Sequence, residues 1–327
     1  MTTRRQIQVT ETSQVQFTEV NAETAGQRLD NFLLRLLKGC PKSRVYRMIR
    51  KGEVRINRKR AKPDSRLAEG DLVRIPPVRL AEREEPPSPS QGLRRLLEQG
   101  ILHEDEHFLV VNKPAGLAVH GGSGVRLGMI EALRQMHARW SALELVHRLD
   151  RDTSGCMVLS KNTQFLREIN KQFKEKSVTK IYLALVQGAW PDSLRQVEAK
   201  LQKNQLESGE RMVRVDETGE AGKPALTRFR VVERFGGLAT LVEAVPVTGR
   251  THQIRVHCRH GGHPILGDTK YGNRSGEPVQ GIRRLCLHAT ALEFRFPPGA
   301  SPQRFQAALD ADFEAILKLL RKQKNIA

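Results

Sequence analysis

HRLDRDTSG, residues 147–155, is a run of charge set between two apolar segments. Leu143, Leu145 and Val146 precede it, Cys156, Met157, Val158 and Leu159 follow it, and each segment reads as a short buried strand. The stretch is therefore a polar loop clamped between strands, closed by a Thr-Ser-Gly turn. Such a loop is ordinarily a solvated turn with internal ion pairs. It becomes a site when a rigid scaffold presents its His147, Arg148, Asp150, Arg151 and Asp152 at a fixed place.

The chain downstream supplies partners for that loop. A helix is expected from about Asn162 to Lys176, with Phe165, Ile169 and Phe173 on one face. Lys180 to Gly188 follows as a strand with Tyr182 among apolar neighbours, where a buried phenol needs a hydrogen-bond partner. GKPALTRFRVVERF and LATLVEAVPVTGR then suggest an antiparallel pair. In TGRTHQIRVHCRHGGHPILGD, Thr248 to Asp268, alternation predicts a strand with Thr251, Gln253, Arg255 and His257 on one face and Arg250, His252, Ile254 and Val256 on the other. Arg255 stands out, because a guanidinium in an apolar strand is costly unless paired, and Asp150 is its natural partner. The four histidines of this stretch invite a zinc site. In that register His252 and His257 fall on opposite faces and no cysteine pair completes a tetrahedron, so no metal is expected.

Composition narrows the partners. The chain has 327 residues, 55 lysines and arginines against 36 acidic residues, a formal charge of +19 and 39% hydrophobic residues. That is a globular chain long enough for two or three domains, with a field that attracts polyanions, nucleic acid first. No apolar run of about 18 residues and no signal core is present, so no membrane partner and a cytoplasmic location are expected. Cys40, Cys156, Cys258 and Cys286 form no close pair, as in a reducing compartment.

The charge is concentrated. Residues 26–79 hold 16 lysines and arginines against 5 acidic residues, +11 of the +19 in about one sixth of the chain. Leu29, Phe32, Leu33, Leu36 and Leu37 predict a first helix, and a second starts near Ser43 and stops at Gly52. A strand from Glu53 to Asn57, the basic turn RKRAK and a strand from Asp71 to Ile75 complete the module. From Pro76 to about Gly100 the chain is rich in Pro, Ser and Glu and reads as a linker, with Leu93, Leu96 and Leu97 offering a short helix. The expected organisation is a flexible tail at 1–15, a small basic domain at 16–80, a linker at 81–100 and a larger domain at 101–320.

The first module, through GQRLDNFL, SRVYRMIRKGEVRIN and GDLVRIP, resembles the S4 RNA-binding domain. HRLDRDTSG, KIYLALV, TGRTHQIRVH, GHPILGD and LCLHA resemble the motifs of the RluA family of pseudouridine synthases, and the likeness runs from about residue 20 to about 320. The resemblance implies an α+β protein: an S4-like domain plus a catalytic domain built on a mixed, mostly antiparallel bifurcated sheet with a central cleft. It implies a cofactor-independent, metal-free isomerase, a monomer, that converts uridine to pseudouridine in 23S rRNA or a large-subunit assembly intermediate. Asp150 matches the family's catalytic aspartate, Arg255 its basic partner, and Tyr182 the tyrosine that stacks on the target base. Arg148 is expected to touch the backbone or fill the gap left by an extruded nucleotide, and Leu287 to line the uracil pocket. Arg250 and His252 complete the substrate-binding set. Arg44, Arg47, Arg50, Lys51, Arg58, Lys59 and Arg60 are the expected phosphate ligands, contacts that position RNA by shape and backbone. The carboxylate could attack C1′ or C6, or take a proton from C2′, and the residues do not choose among these routes. A binding factor without chemistry and a base-releasing glycosidase are the competing classes; the glycosidase would need a second catalytic carboxylate.

Overall fold

The structure, a computed structural model, describes residues 10–11, 14–22, 24–37, 39–80, 86–122, 125–205, 211–218, 220–272 and 282–324. The chain forms two compact units, Met1–Glu85 and Pro86–Ala327. Most of the tail expected at 1–15 lies outside the described residues.

The first unit runs β1 (Thr10–Glu11), β2 (Gln16–Glu19), α1 (Leu29–Leu36), α2 (Lys42–Lys51), β3 (Arg55–Ile56), β4 (Lys59–Arg60), β5 (Leu72–Ile75) and β6 (Arg79–Leu80). Leu29, Phe32 and Leu33 of α1 and Val45, Met48 and Ile49 of α2 are the helices' apolar stripes, and both are buried in one core with Val73 and Ile75 of β5. The sheet order is β2-β5-β3-β4, antiparallel throughout. Asn57 and Arg58, at φ 49° and 66°, turn β3 into β4 through the two-residue loop that twisted hairpins favour.

The second unit contains α3 (Gln91–Gln99), β7 (Ile101–Glu104), β8 (Phe108–Lys113), α4 (Met129–Met136), β9 (Glu144–Leu145), β10 (Ser154–Ser160), α5 (Thr163–Glu175) and β11 (Thr179–Gln187). It continues through β12 (Gln196–Gln205), β13 (Arg211–Val215), β14 (Lys223–Phe235), β15 (Ala239–Pro246), α6 (Gln253–His260), β16 (Leu287–Phe294), β17 (Gln303–Gln306) and α7 (Ala311–Lys324). The stretch 81–100 is thus not all linker. The Ser90 side chain caps α3, accepting from Leu93 N, and Leu97 is buried with Leu109 and Val111 of β8.

One 11-stranded sheet spans the unit in the order β13-β12-β14-β15-β11-β16-β10-β8-β7. Among the described residues every pairing in it is antiparallel except β10 with β16, which meet in parallel over Ser154–His288 and Gly155–Ala289. Beyond that short contact the sheet forks, β16 taking β17 as partner and β10 taking β9. Gly155 makes the contact possible. It sits at φ +115°, and a Cβ there would meet the Ala289 carbonyl oxygen at 2.3 Å. The Gly of HRLDRDTSG is therefore where the two halves of the sheet join, and the charged loop lies at the mouth of the fork.

The segment read as a strand at Thr251–His257 is a helix, α6, beginning at Gln253. Every residue from Gln253 to Cys258 is buried, so no polar face breaks the pattern and two-residue alternation imitates a strand. The Gln253 side chain holds the turn before α6: Oε1 accepts from Thr248 Oγ1 (2.7 Å) and Arg250 N (3.0 Å), while Nε2 donates to Leu226 O and Thr227 Oγ1 (both 2.9 Å). Among the described residues no helix is long and apolar enough to cross a membrane.

Candidate active site

At the fork a cavity of about 280 Å³ is lined by the HRLD loop, β11, the turn before α6 and the start of β16. Arg148, Asp150, Tyr182, Arg250, His252, Arg255 and Leu287 all border it, residues drawn from positions 148 to 287.

Arg255 lies at its floor, 4% exposed. Its Nε and Nη2 donate to Asp268 Oδ2 and Oδ1 at 2.8 and 2.7 Å, a two-pronged clamp, and its Nη1 reaches Asp150 Oδ2 at 3.3 Å. Asp150 was the partner expected from sequence; the stronger partner is Asp268, whose side chain is wholly buried. Asp268 Oδ1 also accepts from Lys270 N and Tyr271 N, and the Arg255 guanidinium lies 5.0 Å from the Tyr271 ring centre. Burial works against the Arg255 charge, but Asp268 and then Asp150 outweigh it and hold the pKa above its ordinary value. Asp268 thus fixes the guanidinium, and the guanidinium fixes Asp150, whose side chain keeps 23% exposure towards the cavity.

His252 closes the other side of Asp150. Tyr271 OH accepts from Val213 N (3.0 Å), which leaves its proton to donate to His252 Nδ1 (2.8 Å). That assignment puts the ring proton on Nε2, 3.7 Å from Asp150 Oδ1. Burial lowers the His252 pKa, and Asp150 opposes the shift. Of the other histidines in this stretch, His263 pairs with Gln187 O and His257 is sealed in the interior with both ring nitrogens unpartnered among the described residues. Opposite-face geometry is therefore not what separates them, since α6 replaces the strand.

The loop itself is tied down from below. Lys113 is fully buried, and its ammonium donates to Pro114 O (2.7 Å), Leu117 O (2.9 Å) and Arg151 O (2.9 Å), the last next to Asp150. Burial pulls its pKa to about 7 against the fields of Asp152 and Asp150. Ser154 is bridged to His288 Nδ1 (2.9 Å) and Arg284 Nη2 (2.9 Å), and His147 Nε2 accepts from Val158 N (3.1 Å). Burial keeps His147 neutral, its pKa lowered to about 4.

Tyr182 stands on β11 with its hydroxyl unpartnered among the described residues, and burial and then Asp150 raise its pKa, so it stays a phenol. Leu287 is buried in the core at the cavity wall. Arg148 and Arg250 are exposed, Arg250 steadied by Pro224 O at 3.2 Å. In the first unit Arg47, Arg50, Lys51, Arg58, Lys59 and Arg60 are exposed, and Arg44 is half-buried with Glu53 at 3.8 Å.

Residues 107–260 match the RNA pseudouridylate synthase family, and residues 27–73 match the S4 domain. The chain is 51% identical to the Ribosomal large subunit pseudouridine synthase C of Salmonella typhi, across 96% of this chain and 99% of that one. The chain belongs to the RNA pseudouridylate synthase family. The protein of the same name from Escherichia coli K12 is also 51% identical over 96% of this synthase, and the one from Haemophilus influenzae 50% over 95%. Two solved human structures, RNA Pseudouridylate Synthase Domain Containing 4 and 1, cover 70% and 68% of the synthase, and 96% and 94% of their own chains, at 28% and 30% identity and TM-scores of 0.58 and 0.54. The synthase is an isomerase, and its helices and forked sheet make the α+β architecture expected from sequence.

Asp268, Tyr271 and Lys113 are the site's supports that sequence reasoning passed over. A signal existed for Asp268. A guanidinium buried as deeply as Arg255 calls for more than one half-exposed carboxylate, and GHPILGD ends in another.

Proposed function

We propose that the synthase converts uridine to pseudouridine in 23S rRNA, with Asp150 as the reacting carboxylate. The N1–C1′ bond breaks, the uracil turns, C5 joins C1′, and the proton leaving C5 is replaced by one on N1; nothing is oxidised and no co-reactant is consumed. Asp150, aimed into the cavity by Arg255, attacks C1′ or C6 or takes a proton from C2′. Tyr182 stacks on the uracil and has a proton to share. Leu287 packs against the ring, and Arg250 and His252 hold the nucleotide. A cavity of about 280 Å³ has room for a nucleoside rather than a duplex, so the uridine must be flipped out at a cost of a few kcal/mol. Arg148, at the rim, occupies the space the base leaves. Phosphate contacts from the first unit's arginines and lysines offset that cost.

The observation that carries the chemistry is the Asp150–Arg255 contact at the cavity floor. The large-subunit substrate is supported by the names of the relatives, alike over 96% of the chain. Mapping pseudouridines in total RNA with and without the gene tests it: large-subunit rRNA should lose specific pseudouridines and regain them with the wild-type gene but not with Asp150→Asn. An unchanged map of that rRNA would overturn the reading.

A further inference from the structure

The outer face of the first unit's sheet carries a row of side chains that its fold does not explain. Phe17 on β2 lies opposite Arg74 on β5, Arg74 opposite Arg55 on β3, and Arg55 opposite Arg60 on β4. Directly opposed residues point to the same face, so Phe17, Arg74, Arg55 and Arg60 form one line across all four strands. At about 4.8 Å per strand the line is roughly 14 Å long. Like charges placed directly opposite destabilise a sheet, yet here three arginines are consecutive. Among the described residues no carboxylate pairs with any of them, and Glu19 is the single acidic strand residue sharing the face.

Two of the three guanidiniums are nevertheless tethered to backbone carbonyls. Arg55 Nε donates to Gly52 O at 3.3 Å and Arg74 Nη1 to Glu53 O at 2.6 Å. Arg60 lies over Gly52, close enough that a Cβ there would meet its Nε at 2.7 Å. Each of these two hydrogen bonds uses one of a guanidinium's five N–H groups and leaves four for other acceptors. At the end of the row Phe17 is 59% exposed, with Leu72 beside it at 43%. An exposed aromatic ring beside fixed cations has the composition of a single-strand nucleic-acid platform, in which phosphates follow the charges and a base stacks on the ring.

We infer that this sheet face is a second RNA-binding surface of the synthase, distinct from the basic face of α2, and that it takes an unpaired stretch of the substrate RNA. Phosphates lie along Arg74, Arg55 and Arg60, and one base stacks on Phe17. The inference rests on the reading of the chain as an rRNA-modifying enzyme and deepens it, because it assigns single-stranded RNA to a place remote in sequence from the reacting residues.

The test uses the full chain and a fluorescent uridine oligomer of about 12 nucleotides, within the site sizes of single-strand binders. Phe17→Ala should weaken binding roughly 5- to 100-fold. Arg55→Ala/Arg74→Ala should flatten the log–log dependence of affinity on salt by about 1.4, the slope of two phosphate contacts on a single strand. Neither variant should melt at a lower temperature than wild type, since the double variant removes adjacent like charges. Wild-type affinity and slope in both variants would overturn the surface while leaving the isomerase reading intact, because Asp150 is untouched. A lower melting temperature for Phe17→Ala with unchanged affinity would overturn it too, showing that the ring packs against protein. A duplex of equal length whose binding is weakened by Phe17→Ala as much as that of the oligomer would overturn the single-strand assignment.

Discussion

Arg47, Arg50 and Arg58 of the first unit stand exposed with no carboxylate against them among the described residues, whereas Arg255 of the second is 4% exposed and clasped by Asp268 and Asp150. The charge is the same and the surroundings divide its use. An exposed guanidinium keeps its hydration and its rotamers, so it attracts phosphate from a distance and yields to salt. A buried, doubly paired guanidinium has no freedom left, and what it provides is position. On the proposed reading, affinity for RNA belongs to the exposed cations and geometry to the buried one.

Substitutions at the two carboxylates on Arg255 give the largest expected effects and test that division at its centre. On the proposed mechanism Asp150→Asn removes the reacting oxygen but leaves a side chain of the same shape on a partly exposed contact. Tritium release from RNA labelled at uridine C5, which reports loss of the C5 hydrogen, should fall to background, while affinity for rRNA stays within severalfold and the melting temperature barely moves. Activity near wild type would reject Asp150 as the reacting residue. Asp268→Ala does the reverse to the fold. It leaves a buried guanidinium with one weak partner, a loss on the order of 3–5 kcal/mol, read as a large drop in melting temperature together with lost activity. If Asp268→Ala melted like wild type, Arg255 would not be the anchored floor of the cavity.

The exposed side of the comparison is tested by Arg47→Ala/Arg50→Ala/Lys51→Ala. Turnover at saturating RNA should be unchanged. Affinity should weaken for every RNA tested, and the salt dependence should flatten by about three, one for each phosphate no longer neutralised. An unaltered slope would mean that α2 does not lie against RNA.

How much of this was legible from sequence follows the same line between exposed and buried. The basic face of α2 was readable because its apolar stripe and its arginines alternate at helical spacing. The strands carrying Met157 and Tyr182 were readable because they are short apolar runs. Alternation misled at α6, where burial on all sides erased the polar face that separates a helix from a strand. Asp150 was singled out by its motif. Asp268 and Lys113 were not, because each works by contacts with residues far along the chain, Arg255 and the carbonyl of Arg151, that only the folded fork brings together.

The smallest effect comes from a third environment, buried and unpaired. His257 is fully buried, and among the described residues neither ring nitrogen has a partner. Burial, and then the charge of His260, lowers its pKa to about 4, against about 6.5 for an ordinary histidine. The folded state thus favours the neutral ring, so its contribution to stability is intact above pH 6.5 and declines as pH falls towards 4, where folding must exclude a proton the unfolded chain would take. At pH 5 the loss is on the order of 2 kcal/mol. His257→Leu deletes two unsatisfied polar atoms without breaking a hydrogen bond, so melting temperatures at pH 8 and pH 5 should draw closer together than in wild type. They should not become equal, because His147 is held neutral by burial in the same way while accepting from Val158 N. A gap between the two pH values as wide as that of wild type would show that His257 is not what makes the fold sensitive to acid.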